Sequence, residues 1–200
     1  AAAEQHLVEA VALARLQGDA RELAAALNAE GMLRRMQHRL DLAAPICAQV
    51  VELFRGLGDL DSIGIALLNQ AMVDMLAGDT GTARQRLLET AALVQRTGSQ
   101  PLLAGLLDAA WGWALARGET GWAEALNACA VEHRQATGLR RDPADEDFLA
   151  RMAALSSAAE TPASALQAPA PLPRPGDNQG AELLRALQGW LGAAGGTLTS

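Results

Sequence analysis

Gly18, Gly58, Gly98 and Gly138 stand forty residues apart, each closing an alanine-rich stretch whose apolar residues recur at helical spacing. A second ladder runs half a unit out of phase, with Gly78 and Gly118 also forty apart and His38 at the matching earlier position. Glycine enters the left-handed region without the penalty of a Cβ atom, so each rung reads as a helix stop. An acid follows several rungs, at Asp19, Asp59, Asp79 and Glu119, where it can open the turn or cap the next helix. Two helices per unit make an array of hairpins, in which each hairpin buries its apolar face only against the next.

Half of the residues are apolar but only 3% are aromatic, and there is no Tyr. Such a chain packs through close approach of small side chains. Helix propensity summed over the Ala, Leu, Glu, Gln and Arg runs is high, and no alternating β-branched segment competes with it. The expected fold is all-α, a right-handed superhelical stack of antiparallel helix hairpins. Residues 1–17 end at the first glycine and read as the second helix of a hairpin whose first helix is missing, either a fragment of a longer chain or a natural start with Met removed. The hairpins follow at 21–38 with 42–57, 61–77 with 81–97, and 101–117 with 120–137. Three registers support the stacking: Ala3, Ala43, Ala83 and Ala123; Leu13, Leu53, Leu93 and His133; and Leu7, Cys47 and Leu87.

Beyond Gly138 the pattern changes. Asp142 followed by Pro143 reads as an N-cap with proline in the first turn. Phe148, Leu149, Met152 and Leu155 then mark a capping helix, which closes a repeat domain over 1–159. Residues 160–180 hold Pro162, Pro169, Pro171, Pro173 and Pro175, a spacing that forbids helix and favours an extended linker. Residues 181–194 form a short amphipathic helix through Leu183, Leu184, Leu187, Trp190 and Leu191. A helix this short is marginal alone, so it is expected to dock on the stack or on a partner. The tail at 195–200 is expected to be disordered.

The formal net charge is −7, and all 16 basic residues are Arg. Without Lys there is no Schiff-base chemistry and no phosphate-binding loop of the Gly-Lys-Ser/Thr kind. The acidic balance argues against direct nucleic-acid binding, which needs a basic face. Arg34, Arg35, His38 and Arg39 cluster near a helix end, where cations offset the dipole. No apolar run approaches the ~18 to 20 residues of a membrane helix, and no secretory signal opens the chain. Cys47 and Cys129 lie two hairpins apart, well beyond the ~7 Å that a disulfide tolerates, which suits a reducing cytoplasm. The three histidines, His6, His38 and His133, lack metal-ligand spacing, and His133 takes a register otherwise held by Leu, as a buried imidazole would. Paired acids such as Asp59 with Asp61, and Asp145 with Glu146 and Asp147, fall at turns or helix starts. No nucleophile motif accompanies them, and neither cofactor nor enzymatic activity is expected.

Ala26-Leu27-Asn28 through Gly31, Ala66-Leu67-Leu68-Asn69 through Ala71, and Ala77-Gly78-Asp79 with Ala83 resemble the tetratricopeptide-like repeats of bacterial signal-transduction ATPases and MalT-like transcriptional regulators. The stretch from Ala123 to Gly138, with Pro143 and Phe148 to Leu155, is similar to the segment that closes the repeat region in those proteins. The resemblance covers about residues 1 to 157. It implies a helical array that senses an inducer or partner protein and controls a switch elsewhere in the chain; no switch motif lies in these residues. Trp111 departs from the family pattern, standing where the two earlier units have Gly31 and Ala71.

Asn28 and Asn69 lie where tetratricopeptide arrays line their inner face, and Arg35, Asp108 and Trp111 can share it. Amides, a guanidinium and an aromatic suit a peptide backbone and one carboxylate. The alternative for these residues is plain solvation or the satisfaction of neighbouring turns. Trp111, Trp113 and Trp122 cluster in the third hairpin, as core or as a partner anchor. The expected function is a non-enzymatic interaction or sensor domain binding a protein, peptide or small inducer; the alternative is a self-associating scaffold, a homodimer through the edge before residue 1 or the helix near Trp190.

Overall fold

The structure is a computed structural model that describes residues 2–158, 172–173 and 180–194. Among these residues there are nine helices and no strand: α1 (Ala2–Gln17), α2 (Ala20–Met36), α3 (Leu40–Leu57), α4 (Leu60–Leu76), α5 (Thr80–Thr97), α6 (Gln100–Ala116), α7 (Thr120–Thr137), α8 (Pro143–Ala158) and α9 (Gly180–Ala193). The assignments of 160–180 as linker and 195–200 as a disordered tail fall outside the described residues, apart from Leu172, Pro173 and Gly180.

The glycine ladders do what their spacing suggests. All six rung glycines have positive φ, between 67° and 86°. His38, standing where the second ladder lacks a glycine, takes the same left-handed turn at φ 58°. Asp19, Asp59 and Asp79 then accept backbone N–H bonds from the first turns of α2, α4 and α5. Glu119 does not cap α7; its side chain is withdrawn into the interior, as described below. The turn between α2 and α3 has neither a glycine nor a side-chain cap, since Arg39 occupies the cap position and its guanidinium turns to Asp41.

Consecutive helices from α1 to α7 pack on one another, and the first helices of successive hairpins also touch, α2 against α4 and α4 against α6. The α4–α6 contact depends on glycines. A Cβ on Gly64 would lie 2.5 Å from Leu102 Cδ2, and one on Gly105 would lie 2.8 Å from Leu68 Cδ1. Each leucine fills the space that the opposite glycine leaves.

The small-residue register is buried at Ala43, Ala83 and Ala123; the side chain of Ala3 lies outside the described residues. In the Leu13 register burial weakens toward the amino-terminal end: Leu93 is 7% exposed but Leu13 is 55% exposed, since among the described residues α1 packs chiefly on α2. His133 is buried, with its Nε2 3.1 Å from the Gln100 carbonyl oxygen. Cys47 and Cys129 are buried free thiols, and burial raises the pKa of both, that of Cys47 to about 11.

The last two helices pack on different sides. α8 covers α6, as a cap on the third hairpin should, and it also reaches back to α2. α9 returns to lie on α5. Among the described residues no helix is long and apolar enough to cross a membrane.

Candidate functional site: the groove of the first helices

α2, α4 and α6 pack in sequence, and α8 contacts α6 and α2. Asn28 on α2 accepts a 2.8 Å hydrogen bond from Asn69 Nδ2 on α4. This single bond joins the two amides across the helix contact, while Asn28 Nδ2 donates to the Met32 sulfur at 3.7 Å. Two turns further along α2, Arg35 is 1% exposed although it is charged. Burying a guanidinium demands a carboxylate, and here it comes from α8. Arg35 Nη2 lies 2.7 Å from Asp145 Oδ1. Its plane sits 5.8 Å from the Phe148 ring centroid, and Nη1 meets the Met72 sulfur. Nε has no partner among the described residues. The basic run at 34–39 is therefore more than a helix-dipole feature. Arg34 pairs with Glu4 of α1 and with Glu30, while Arg35 holds α8 on α2.

The sequence of α8 explains its seat. Asp142 caps it, accepting from the Ala144 amide at 2.8 Å, and Pro143 opens it. Asp145, Phe148, Leu149 and Met152 then fall at i, i+3, i+4 and i+7, one face of a helix. Phe148 and Met152 lie over Gly112 of α6, where a Cβ would come within 2.6 Å of the Phe148 ring. That contact accounts for the departure at Trp111. The close approach is made one residue later, at Gly112, and Trp111 turns aside half-buried. Arg151 finishes the seat by donating to the Met36 carbonyl at 3.0 Å while paired with Asp147.

Asp108 is fully buried on α6, and two arginines clamp it. Arg134 Nη1 lies 2.9 Å from one oxygen, while Arg141 approaches both at 3.0 and 2.9 Å. Arg141 also lies 5.8 Å from the Trp111 ring centroid, and Asp108 raises its pKa. Asp145 titrates above the ordinary carboxylate range, first because it is buried and further because Asp108 and Asp142 repel its charge; the attraction of Arg35 offsets this only in part. Asn28, Arg35, Asn69, Asp108 and Trp111 thus all lie on the three first helices, engaged with each other, with α8 or with the segment leading into it.

The tryptophans divide differently from the cluster at Trp111, Trp113 and Trp122. Residues two apart on a helix point to different faces, so Trp113 faces away from Trp111 and into the core. There Trp190 of α9 completes the set. Its ring stacks on Trp122 at 4.4 Å and meets Trp113 edge-on at 4.9 Å. Trp190 Nε1 donates to Glu119 Oε2 at 2.7 Å, and Arg117 Nε donates to the other carboxylate oxygen, also at 2.7 Å. Glu119 is 1% exposed. Two residues that sequence reasoning missed are therefore Asp145, read only as an early helical acid, and Glu119, read as a cap. A signal existed for Glu119: the other three rungs followed by an acid carry Asp, the better capping residue.

A cavity of about 380 Å³ lies between the ends of α4 and α6 and the last turns of α8. Met75, Leu115, Arg117, Thr120, Met152 and Leu155 are among its walls, and none of the five groove residues is. Among the described residues no group of three or more His, Cys, Asp or Glu could hold a metal ion. No protein-family model matches the chain, and no curated protein or solved structure is significantly similar to it.

Proposed function

We propose that this chain is a non-enzymatic interaction or sensor domain of a bacterial regulatory protein, a right-handed superhelical stack in the tetratricopeptide manner. Its concave face, formed by α2, α4 and α6, binds a partner protein, a peptide or a small inducer. The observation that carries this reading is Arg35. The stack buries a guanidinium whose carboxylate is supplied by a helix laid across the face, and such an arrangement recognises ligands more readily than it supports a core. The groove offers amides, charge pairs and an aromatic edge, which are recognition elements. Panning a peptide library against the full chain, with hits mapped by NMR, tests it. Binders are expected to shift the side-chain signals of Asn28, Asn69 and Trp111; a set of binders that leaves all three unmoved would count against the groove.

A second reading, self-association, draws on α1. Val8, Leu13 and Leu16 are 53%, 55% and 85% exposed there, an apolar strip that a second copy could cover. Light scattering after size-exclusion chromatography separates the two, since a monomer from micromolar to millimolar concentration removes self-association.

A further inference from the structure

We propose that the groove's ligand is an amphipathic helix that takes the place of α8, carrying a carboxylate in its first turn and an aromatic residue one turn later. This rests on the interaction-domain reading and specifies the partner's chemistry. Three observations lead to it. The buried contacts of α8 fall at i, i+3, i+4 and i+7, through Asp145, Phe148, Leu149 and Met152, the spacing by which a helix is read in a groove. Arg35 finds its carboxylate, among the described residues, only in Asp145, so a replacement helix without an acid there would leave a guanidinium buried and unpaired. The third concerns release. Beyond Met152, the last turn of α8 lies at the cavity of about 380 Å³, and Leu155 there is 56% exposed. A helix end with few buried contacts is where local opening begins.

Because α8 is tethered beside its seat, it competes with any ligand, and apparent affinity is reduced by the fraction of molecules in which the seat is empty. Weakening α8 without touching the seat should therefore tighten binding in trans. The probe is a fluorescein-labelled peptide with the sequence of residues 142–158, titrated by anisotropy into the full chain and into its Phe148→Ala/Met152→Ala variant. The variant is expected to bind at least about tenfold more tightly than the unaltered chain. Adding Arg35→Glu to the variant should abolish binding, and a peptide carrying Asp145→Arg should restore it, a rescue that general loosening of the fold would not produce. The proposal is overturned if a variant that melts cooperatively binds no peptide, or binds both peptides alike whatever stands at position 35.

Hydrogen exchange on the unaltered chain decides the matter even if the variant does not fold. Amides of α8 should exchange at least about tenfold faster than those of α4; equal protection would mean that α8 leaves only on global unfolding and overturns the exchange. A library peptide that shifts Asn28, Asn69 and Trp111 while α8 stays protected also overturns it, yet leaves the interaction-domain reading intact.

Discussion

α8 and α9 are both short amphipathic helices that follow the repeats and settle on them, but they are held by different physics. α9 inserts one large aromatic, Trp190, against Trp113 and Trp122 and answers the buried carboxylate of Glu119 with an indole N–H. Its buried leucines, Leu183, Leu184, Leu187 and Leu191, make the seat a piece of core. α8 adds Phe148, Leu149 and Met152 to the same core, but it is also held by a charge pair at one end and has a cavity under its far end. A seat built on aromatic and aliphatic packing gains most from area removed from water. A seat built on a buried ion pair adds little net stability and discriminates strongly against an occupant of the wrong charge. One terminal helix is mortar, and the other sits in a place that selects its occupant by charge.

Removing the mortar should have the largest effect. Trp190→Ala is expected to cost about 3–5 kcal/mol, the range for a buried Trp replaced by Ala, read as a shift of the urea midpoint at constant slope. Trp190→Phe keeps a ring but leaves one Glu119 oxygen without its donor, and should still cost about 1–3 kcal/mol. If Trp190→Ala also strips α8 of its hydrogen-exchange protection, the two seats are one cooperative unit and the contrast between them fails.

Breaking the charge pair comes next. Arg35→Ala is expected to cost about 3 kcal/mol, the lower end of the range for a buried pair deprived of one partner, because Asp145 is 22% exposed and water can reach it. In a double-mutant cycle, Arg35→Ala with Asp145→Ala should cost less than Arg35→Ala alone, since the orphaned carboxylate is then gone. Strict additivity would show that the two residues do not communicate, and the seat of α8 would be apolar packing like that of α9.

The two seats were not equally legible from sequence. Docking of α9 follows from the spacing of its leucines and from its shortness, which together require a partner surface. The turns follow from the glycine ladders, because left-handed backbone has a local residue signature. The cap role of α8 was legible too, through Asp142, Pro143 and the apolar run from Phe148. Its reach back to α2 was not. Periodicity reports which face of a helix is apolar and says nothing about which of several distant faces it will cover. The pairing of Arg35 with Asp145 spans the whole array, and no local pattern marks it. The grouping of Trp111 with Trp113 overlooked the 100° step between successive helical residues, and Trp190, the true third member, lay beyond the proline-rich segment.

Acidity acts on the α8 seat in a definite direction. Burial pushes Asp74 up to about 6, with Arg86 opposing and Asp79 reinforcing the shift, and Asp145 is raised in the same direction. A carboxyl whose folded pKa is raised binds its proton more tightly in the folded state. Its contribution to stability therefore grows as pH falls from above the folded value toward the unfolded one, and is lost as pH rises again. For Asp74 the window runs from about 6 down to 3.8, worth at most ~3 kcal/mol. Asp59 and Asp79 are held low by hydrogen bonds to Arg21 and Thr82 respectively, so their contributions persist through that window and fall away only in stronger acid. Mild acid should thus stabilise the chain relative to neutrality. Asp74→Asn should flatten most of that slope, and Asp145→Asn the remainder. A slope unchanged by Asp145→Asn would mean that the charge of Asp145 does not bear on how α8 is held.

The smallest effect tests the frame on which both helices are mounted, at two positions of the same register. Gly78 has φ +86°, and nothing lies within 4 Å of the place a Cβ would occupy, so a side chain there meets no clash and only the backbone objects. Gly78→Val should cost about 1–2 kcal/mol, the penalty for a β-branched residue in left-handed geometry. His38 already bears such a penalty at φ 58°, and it is exposed, so its replacement removes no buried contact. His38→Gly should therefore stabilise the chain, by up to ~1 kcal/mol after the added freedom of the unfolded glycine is subtracted. The two substitutions move the melting temperature in opposite directions if the turns impose the backbone on their residues. A His38→Gly variant that melts lower would mean that the imidazole holds the first hairpin in place, and that the α2 platform carrying Arg35 is fastened differently from the α4 and α6 platforms beside it.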